Sequence, residues 1–147
     1  GRSYTRYAHG NVQARCITKD GRTKWSKDFP RSLTSGSPVI GRVFAVEFND
    51  ALFLFLLDSE QQAEKRKAGD KMKPNQMKAP YSAYVSFDDG GNYKIKPVLR
   101  SDRGVDYISG WDLVRTGPNE YFALGTEKLS SGRFLPVKIE FSKEEGK

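Results

Sequence analysis

The fold is decided by the stretch Val85-Ser86-Phe87-Asp88-Asp89-Gly90-Gly91-Asn92-Tyr93-Lys94-Ile95. Alternating strand residues lead into a tight Asp/Gly turn, and an aromatic residue begins the return. Glycine can take the positive φ of such a turn, and aspartate can bond its own backbone. The same features recur in Ile17-Thr18-Lys19-Asp20-Gly21-Arg22-Thr23-Lys24-Trp25. The two stretches predict two hairpins of one repeated all-β unit.

The composition indicates a single folded domain. The chain has 147 residues, of which 37% are hydrophobic and 12% aromatic, enough to bury a core. Its longest apolar run, Ala51–Leu57, has seven residues, against about 20 for a membrane-spanning helix. No transmembrane segment is therefore predicted. Segment 1–7 is basic and polar and lacks the apolar core of a signal peptide.

Turn residues divide most of the chain into short strands. Residues 1–10, 31–38 and 100–110 are predicted to be loops. Ala51–Asp58 has bulky residues on both faces, so it is predicted to be buried on both sides, between packed sheets. Helix is the competing assignment for that segment. The predicted strands are Asn11–Ile17, Thr23–Phe29, Val39–Phe48, Ala51–Asp58, Tyr81–Phe87, Tyr93–Leu99, Trp111–Thr116, Glu120–Thr126 and Arg133–Phe141.

Segment 59–80 differs from the rest because it is rich in Gln, Lys and Glu. It carries +3 of the net charge of +7. Residues 61–68 could form two helical turns, but no apolar stripe would anchor them, so an exposed basic insertion loop is predicted. Its candidate binding residues for a glycan or another polyanion, within 60–79, are Lys65, Arg66, Lys67, Lys71 and Lys73. The loop has no aromatic residues for base stacking, so no specific nucleic-acid partner is predicted.

The hairpins resemble the Asp-box pattern, Ser-x-Asp-x-Gly-x-x-Trp. Ser86, Asp88, Gly90 and Tyr93 match it, with tyrosine in the tryptophan position. In the upstream copy, Thr18, Asp20 and Trp25 are in register, and Gly21 comes one residue early. The resemblance implies a structural turn between the outer strands of a β-propeller blade.

The spacing of the two hairpins fits such a blade. Trp25 and Tyr93 are 68 positions apart, or 46 without the 22 residues of 59–80, and a four-stranded blade takes roughly 40–50 residues. We therefore predict antiparallel four-stranded blades of a β-propeller, in a partial ring of about two to three blades. A β-sandwich is the alternative fold. Residues 1–147 are predicted to be a single all-β domain or a fragment of a larger propeller.

A broader likeness concerns segments 10–25 and 119–139. They resemble the C-terminal part of large secreted, propeller-like proteins of Bacteroidetes-type bacteria. The likeness implies a secreted, periplasmic or outer-membrane-associated location. Its implied partners are the remaining blades of the same protein or another envelope protein. The function predicted from it is a non-catalytic scaffold or binding module.

A sialidase-like glycoside hydrolase is the alternative, since Asp-box folds include sialidases. The residue types for that chemistry are present, but no spacing singles them out: Arg100, Arg103, Arg115, Tyr107 and Glu120. His9 is the only histidine and has no supporting catalytic motif. Catalysis by this chain is not predicted.

No metal or cofactor is predicted either. The chain lacks the His/Cys clusters of zinc sites. The Asp/Gly turn together with Asp102, Asp106 and Asp112 does not have the ligand spacing of an EF-hand calcium loop. Cys16 is the only cysteine, and we interpret it as a buried, inert thiol. An aromatic floor for a sugar is a further alternative, although strand aromatics more often pack between sheets: Tyr81, Tyr84, Tyr93 and Trp111.

Overall fold

A computed structural model describes residues 5–36, 41–73, 80–98, 107–126 and 134–142. Within these ranges the protein has eleven strands and one helix, and every strand pair is antiparallel. The all-β prediction is therefore confirmed. The elements are β1 Tyr7–His9, β2 Val12–Ile17, β3 Thr23–Phe29, β4 Leu33–Ser35, β5 Phe44–Phe48, β6 Ala51–Ser59, α1 Glu60–Ala68, β7 Pro80–Phe87, β8 Tyr93–Pro97, β9 Tyr107–Arg115, β10 Glu120–Thr126 and β11 Phe134–Glu140.

The central sheet contains β5, β6, β7 and β8 in chain order. Asn49 and Asp50 connect β5 to β6, both with positive φ (50° and 58°), as the tightest two-residue hairpin turns require. β6 pairs with β5 on one side and β7 on the other. This pairing on both sides confirms the prediction of a strand rather than a helix for this segment. Residues 54–59 are all buried.

One face of the central sheet is covered by the β2–β3 hairpin. Ala14 and Phe29 of the hairpin share a buried cluster with Leu54 and Val85 of the sheet. Trp25 stacks on Phe87 with ring centroids 5.6 Å apart. The Phe29 side chain is fully buried. This apolar contact fixes the hairpin against the sheet.

The opposite face is covered by a three-stranded sheet in the order β11, β10, β9. Phe141, just after β11, has its ring 4.9 Å from Phe53 and 6.1 Å from Phe55, centroid to centroid. The Ile108 amide of β9 donates to the Ser82 hydroxyl over 2.7 Å. The central sheet thus lies between two other sheets, as the two-faced pattern of β6 predicts.

Three loop predictions are wrong. Within segments 1–10 and 31–38, Tyr7–His9 pairs with Leu33–Ser35 as β1 and β4. β9 begins at Tyr107, within the segment predicted to be a loop up to Gly110. β1 and β4 have three residues each, too short for an alternating pattern to be recognised. Leu33 of β4 is only 2% exposed. Burial of this side chain therefore stabilises the β1–β4 pair, although no alternating pattern in the sequence marks the two strands.

The prediction that 59–80 is an exposed loop is also wrong for its first half, which forms α1. Ser59 caps the helix by accepting a hydrogen bond from the Gln62 amide over 3.3 Å. Gly69, with φ 71°, ends it in the left-handed conformation. Gln62 is buried, and its side-chain oxygen accepts from the Ser32 amide over 3.2 Å. The anchor of this helix is therefore polar, which is why no apolar stripe indicated it.

A buried ion pair completes the anchoring of α1. The Arg66 guanidinium donates to the fully buried Asp58 carboxylate and lies 4.5 Å above the Phe29 ring. The Tyr81 hydroxyl donates to the same carboxylate over 3.2 Å. Arg31, which is 3% exposed, donates to the Gly41 carbonyl over 2.8 Å. Burial lowers the pKa of the Arg31 guanidinium, and the negative charge of Asp58 opposes that shift.

The Arg66–Asp58 pair predicts that substitutions of two neighbouring basic residues, Arg66 and Lys67, have different effects on the free energy of unfolding. Arg66→Met leaves the buried Asp58 carboxylate without its charge partner, which costs about 3–5 kcal/mol of unfolding free energy. Lys67→Met alters an exposed side chain one residue later, so the urea midpoint stays nearly unchanged. Urea denaturation of both variants measures this. Asp58→Leu combined with Arg66→Met removes both charges of the pair and should recover part of the lost unfolding free energy. Equal destabilisation by Arg66→Met and Lys67→Met would contradict the buried ion pair.

Candidate functional site

The Asp/Gly turn between β7 and β8 is closed by Asp88. One carboxylate oxygen of Asp88 accepts from the Gly90 amide over 2.9 Å and from the Asn92 amide over 2.8 Å. The Asn92 side-chain amide donates to the other oxygen over 3.1 Å. Hydrogen bonds from the Asn92 side chain and backbone lower the pKa of the Asp88 carboxyl, and the Gly90 amide adds to this shift. Asp88 therefore has a turn-closing role.

The upstream turn between β2 and β3 has the same backbone pattern with another closing residue. The Arg22 amide donates to the Thr18 hydroxyl over 3.2 Å, where the Asn92 amide donates to Asp88 in the other turn. The Gly21 amide donates to the Thr18 carbonyl, as the Gly91 amide does to Asp88. Gly21 and Gly91 have φ values of 83° and 77°.

The structural repeat therefore differs by two positions from the register of the Asp-box pattern. Thr18 occupies the place of Asp88, and Gly21 that of Gly91, 70 positions on. Asp20 takes the place of Gly90 and pairs with Arg22 over 3.1 Å. Ser86 lies within β7 opposite Lys94. The Asp-box pattern gave the other register because it matches aspartate to aspartate, whereas the structure places Thr18 where Asp88 lies in the second turn.

The two hairpins contact each other directly. A side chain built on Gly91 would place its Cβ 2.8 Å from the Trp25 ring, so the indole lies against the backbone of the turn. Lys24 forms an exposed ion pair with Asp89, and this hydrogen bond raises the pKa of the Lys24 ammonium. Tyr93, although 38% exposed, packs edge-on against Phe29 with centroids 5.5 Å apart. The contact between the two hairpins is therefore mainly aromatic packing.

A cleft of about 270 Å³ lies where three turns meet. Trp25 and Phe87 contribute rings, while Glu47, Asp50 and Arg15 contribute charges. Asp88 and Asp89 also line it, but the first closes its turn and the second pairs with Lys24. Cys16, half-buried, lines it as well. The described residues contain no group of three or more His, Cys, Asp or Glu arranged to hold a metal ion.

A second cleft, of about 420 Å³, lies between the central sheet and β11. Its aromatic lining consists of Phe48, Phe53, Phe55, Tyr84 and Phe141. Tyr84 is therefore surrounded by phenylalanines. The aromatics proposed as a sugar floor are not brought together, because Tyr81 contacts Asp58 and Tyr93 packs near Phe29. Trp111 lies in β9, and its side chain is outside the described part of the structure.

The described basic residues of 60–79, which lie within 60–73, do not form one outward patch. Arg66 points inward to Asp58, and its side chain is only 6% exposed. Lys67, Lys71 and Lys73 are exposed, and Lys65 is half-buried. The acidic Glu60, Glu64 and Asp70 are exposed in the same segment. With Arg66 neutralised by Asp58, the four lysines against three acids leave +1 on the other side chains of residues 60–73, a weak field for a polyanion.

The described residues of the sialidase alternative do not form one cluster: Arg115 and Glu120 flank the same turn, each with partners of its own, and Tyr107 is at the far end of β9. Arg115 donates to the carbonyls of Gly117 and Pro118, over 3.1 and 2.8 Å. Glu120 pairs with Lys138 over 2.6 Å. Arg100 and Arg103 lie outside the described residues, as do Asp102 and Asp106.

Comparison with protein-family profiles, with curated proteins and with solved structures found no match. In the part of the chain that is described, no helix is both long and apolar enough to span a bilayer.

The Trp25–Gly91 contact predicts different effects for two glycine substitutions. Gly21→Ala meets no atom within 4 Å, so it costs only the strain of positive φ, about 1–2 kcal/mol. Gly91→Ala adds a clash with Trp25, for about 1–3 kcal/mol more. Urea denaturation measures both values. Equal destabilisation by the two substitutions would mean that the indole is not held against the turn.

The lowered pKa of Asp88 predicts a pH dependence. The folded protein binds the Asp88 proton more weakly than the unfolded chain, so this carboxylate stabilises the fold above the ordinary aspartate pKa. That contribution disappears as pH falls through the lowered folded value. Titration of the Asp88 carboxyl by NMR should give a midpoint below that of an ordinary aspartate. Asp88→Ala should lower the urea midpoint more at neutral than at acidic pH, and by more than Asp20→Ala; a normal midpoint would contradict the turn-closing role.

Proposed function

We propose that the chain is a non-catalytic scaffold or binding module, built as part of a β-propeller. β5–β8 form one four-stranded blade, β2–β3 the outer hairpin of the preceding blade, and β9–β11 three strands of the following blade. The single observation that carries the proposal is that the central sheet is covered on both faces, by Phe29 and Trp25 on one side and Phe141 on the other.

The order of strands supports a blade. Its four strands are consecutive in the chain and antiparallel throughout, which is the arrangement within a propeller blade. The Asp88–Asn92 turn joins the third and fourth strands, where Asp-box hairpins lie. The corresponding turn of β2–β3 packs directly beside it through Trp25 and Gly91. Equivalent hairpins in neighbouring layers are typical of repeat architectures.

The alternative β-sandwich is less well supported. In a two-sheet sandwich each sheet buries one face and exposes the other. β6 instead has buried residues on both faces, Leu54 and Leu56 on one and Phe55 and Leu57 on the other. A stack of at least three sheets explains this burial, and successive blades of a propeller form such a stack.

A structural role is favoured over catalysis by how the polar residues are used. Asp88 closes a turn, Arg115 holds the turn after β9, and Glu120 pairs with Lys138. Asp58 and Arg66 neutralise each other beneath α1. The proposed partners are further blades of the same protein or another envelope protein. The proposed location, secreted, periplasmic or outer-membrane-associated, depends on the sequence resemblance alone.

An experimental structure of the chain tests the architecture. We expect successive rotations of one sign about a common axis to relate the three sheets, with β5 innermost and β8 outermost. Two sheets packed face to face without such an axis would overturn the propeller proposal. Aryl-sialoside hydrolysis tests the non-catalytic role, with no turnover expected. Turnover that Glu120→Gln abolishes would instead support the hydrolase alternative.

A further inference from the structure

Arg31, two residues after β3, is a buried arginine that several hydrogen bonds hold in place. It is 3% exposed. Its backbone amide donates to the Asn11 side-chain oxygen over 3.3 Å, and Nη2 of its guanidinium donates to the Gly41 carbonyl over 2.8 Å. The next residue is fixed as well, because the Ser32 amide donates to Gln62 of α1 over 3.2 Å. The guanidinium therefore has little freedom to turn towards solvent.

Part of this guanidinium lacks a hydrogen-bond acceptor. In the described part of the chain, Nε and Nη1 of Arg31 are buried and have no partner. Buried donors in folded proteins are nearly always paired, with other protein groups, with water or with an ion. An unpaired donor costs more free energy when it is charged than when it is neutral. Nε and Nη1 are therefore positions where an acceptor from outside the chain is expected.

The charges around Arg31 indicate which kind of acceptor is favoured. Two guanidiniums, those of Arg31 and Arg66, lie buried near one buried carboxylate, that of Asp58. Arg66 donates directly to Asp58, so these two charges cancel each other. Two positive charges against one negative charge leave +1 on the three side chains. A water molecule can accept a hydrogen bond from Arg31 but cannot balance this charge, whereas an anion does both.

The pKa of Arg31 agrees with an uncompensated charge. Burial lowers the pKa of the guanidinium, because removing the cation from water disfavours its charged form. The negative charge of Asp58 opposes this shift without cancelling it. A buried charge that lacks a full counter-charge is costly to the folded state. Binding of an anion would remove this cost.

We propose that Arg31 binds one small monovalent anion of the size of chloride, which accepts a hydrogen bond from Nε or Nη1 and balances the buried positive charge. This inference goes beyond the scaffold function and does not depend on it. A guanidinium that is already fixed loses little freedom on binding, and its attraction for an anion is strong where water is excluded. A divalent or bulky anion is disfavoured, because its dehydration costs more and the site is buried.

The bound anion would stabilise the contact between α1 and the residues after β3. The Arg66 guanidinium donates to the Pro30 carbonyl over 3.3 Å, next to Arg31. Residues 30–32 therefore lie against the helix and the end of β6. In the unfolded chain Arg31 is hydrated and needs no counter-ion. Since the anion binds the folded protein alone, its concentration raises stability by mass action.

Urea denaturation at increasing chloride concentration tests the proposal. Sodium chloride is raised from about 1 to about 100 mM, and sodium gluconate, whose anion is too bulky for the site, keeps the ionic strength constant. For a dissociation constant of about 10 mM, the folding equilibrium constant of the wild type should rise about tenfold over this range. Arg31→Met should abolish the rise. Arg42→Met is the matched control, since Arg42 is an exposed arginine next to Gly41, and it should keep the rise.

A bromide-soaked crystal of the wild-type protein gives a second measurement that does not require Arg31→Met to fold. An anomalous peak is expected within hydrogen-bond distance of Nε or Nη1 of Arg31. An equal chloride dependence of the wild type and Arg31→Met would overturn the proposal. So would a water molecule, or no bromide peak, beside the guanidinium, because neither supplies a counter-charge.

Discussion

The structure depends on the burial of β6 on both faces. Leu54 and Leu56 face the β2–β3 hairpin, whereas Phe53 and Phe55 face Phe141. A strand with no polar face cannot lie at the surface, so it must be central both within its sheet and within a stack of sheets. Placing β6 in this way requires a sheet partner on each side and a covering layer on each face. The remaining described strands, apart from the small β1–β4 pair, supply these.

The same burial creates an electrostatic problem where β6 ends. Asp58 is fully buried there, and an unpaired carboxylate in such a position would be very costly. Arg66 supplies the opposite charge, and it can do so only because the chain turns at once into α1. The segment that follows β6 is therefore helical for a tertiary reason, although its own sequence has no apolar stripe. One side chain that contributes to the positive net charge is thereby removed from the surface.

Sequence pattern was informative where turn residues or proline mark the ends of a strand, or where a turn has local chemistry. The bounds of β3 and β10 were predicted as they occur, Thr23–Phe29 and Glu120–Thr126, and the two-sided burial of Ala51–Asp58 was predicted from its composition. β1 and β4 were missed because three residues carry no period. For the candidate site, the turn role of Asp88 was predictable, whereas the inward direction of Arg66 was not, since it depends on the burial of Asp58 at the end of β6 and on the helix that follows.

The two Asp/Gly hairpins share a backbone conformation although their closing side chains differ. Thr18 and Asp88 are chemically different, yet each accepts the amide of the fourth residue after it and closes the same turn. What the two hairpins share is glycine with positive φ and packing between their layers, through Trp25 and Gly91. The features that the two hairpins share are thus those that pack one sheet on the next.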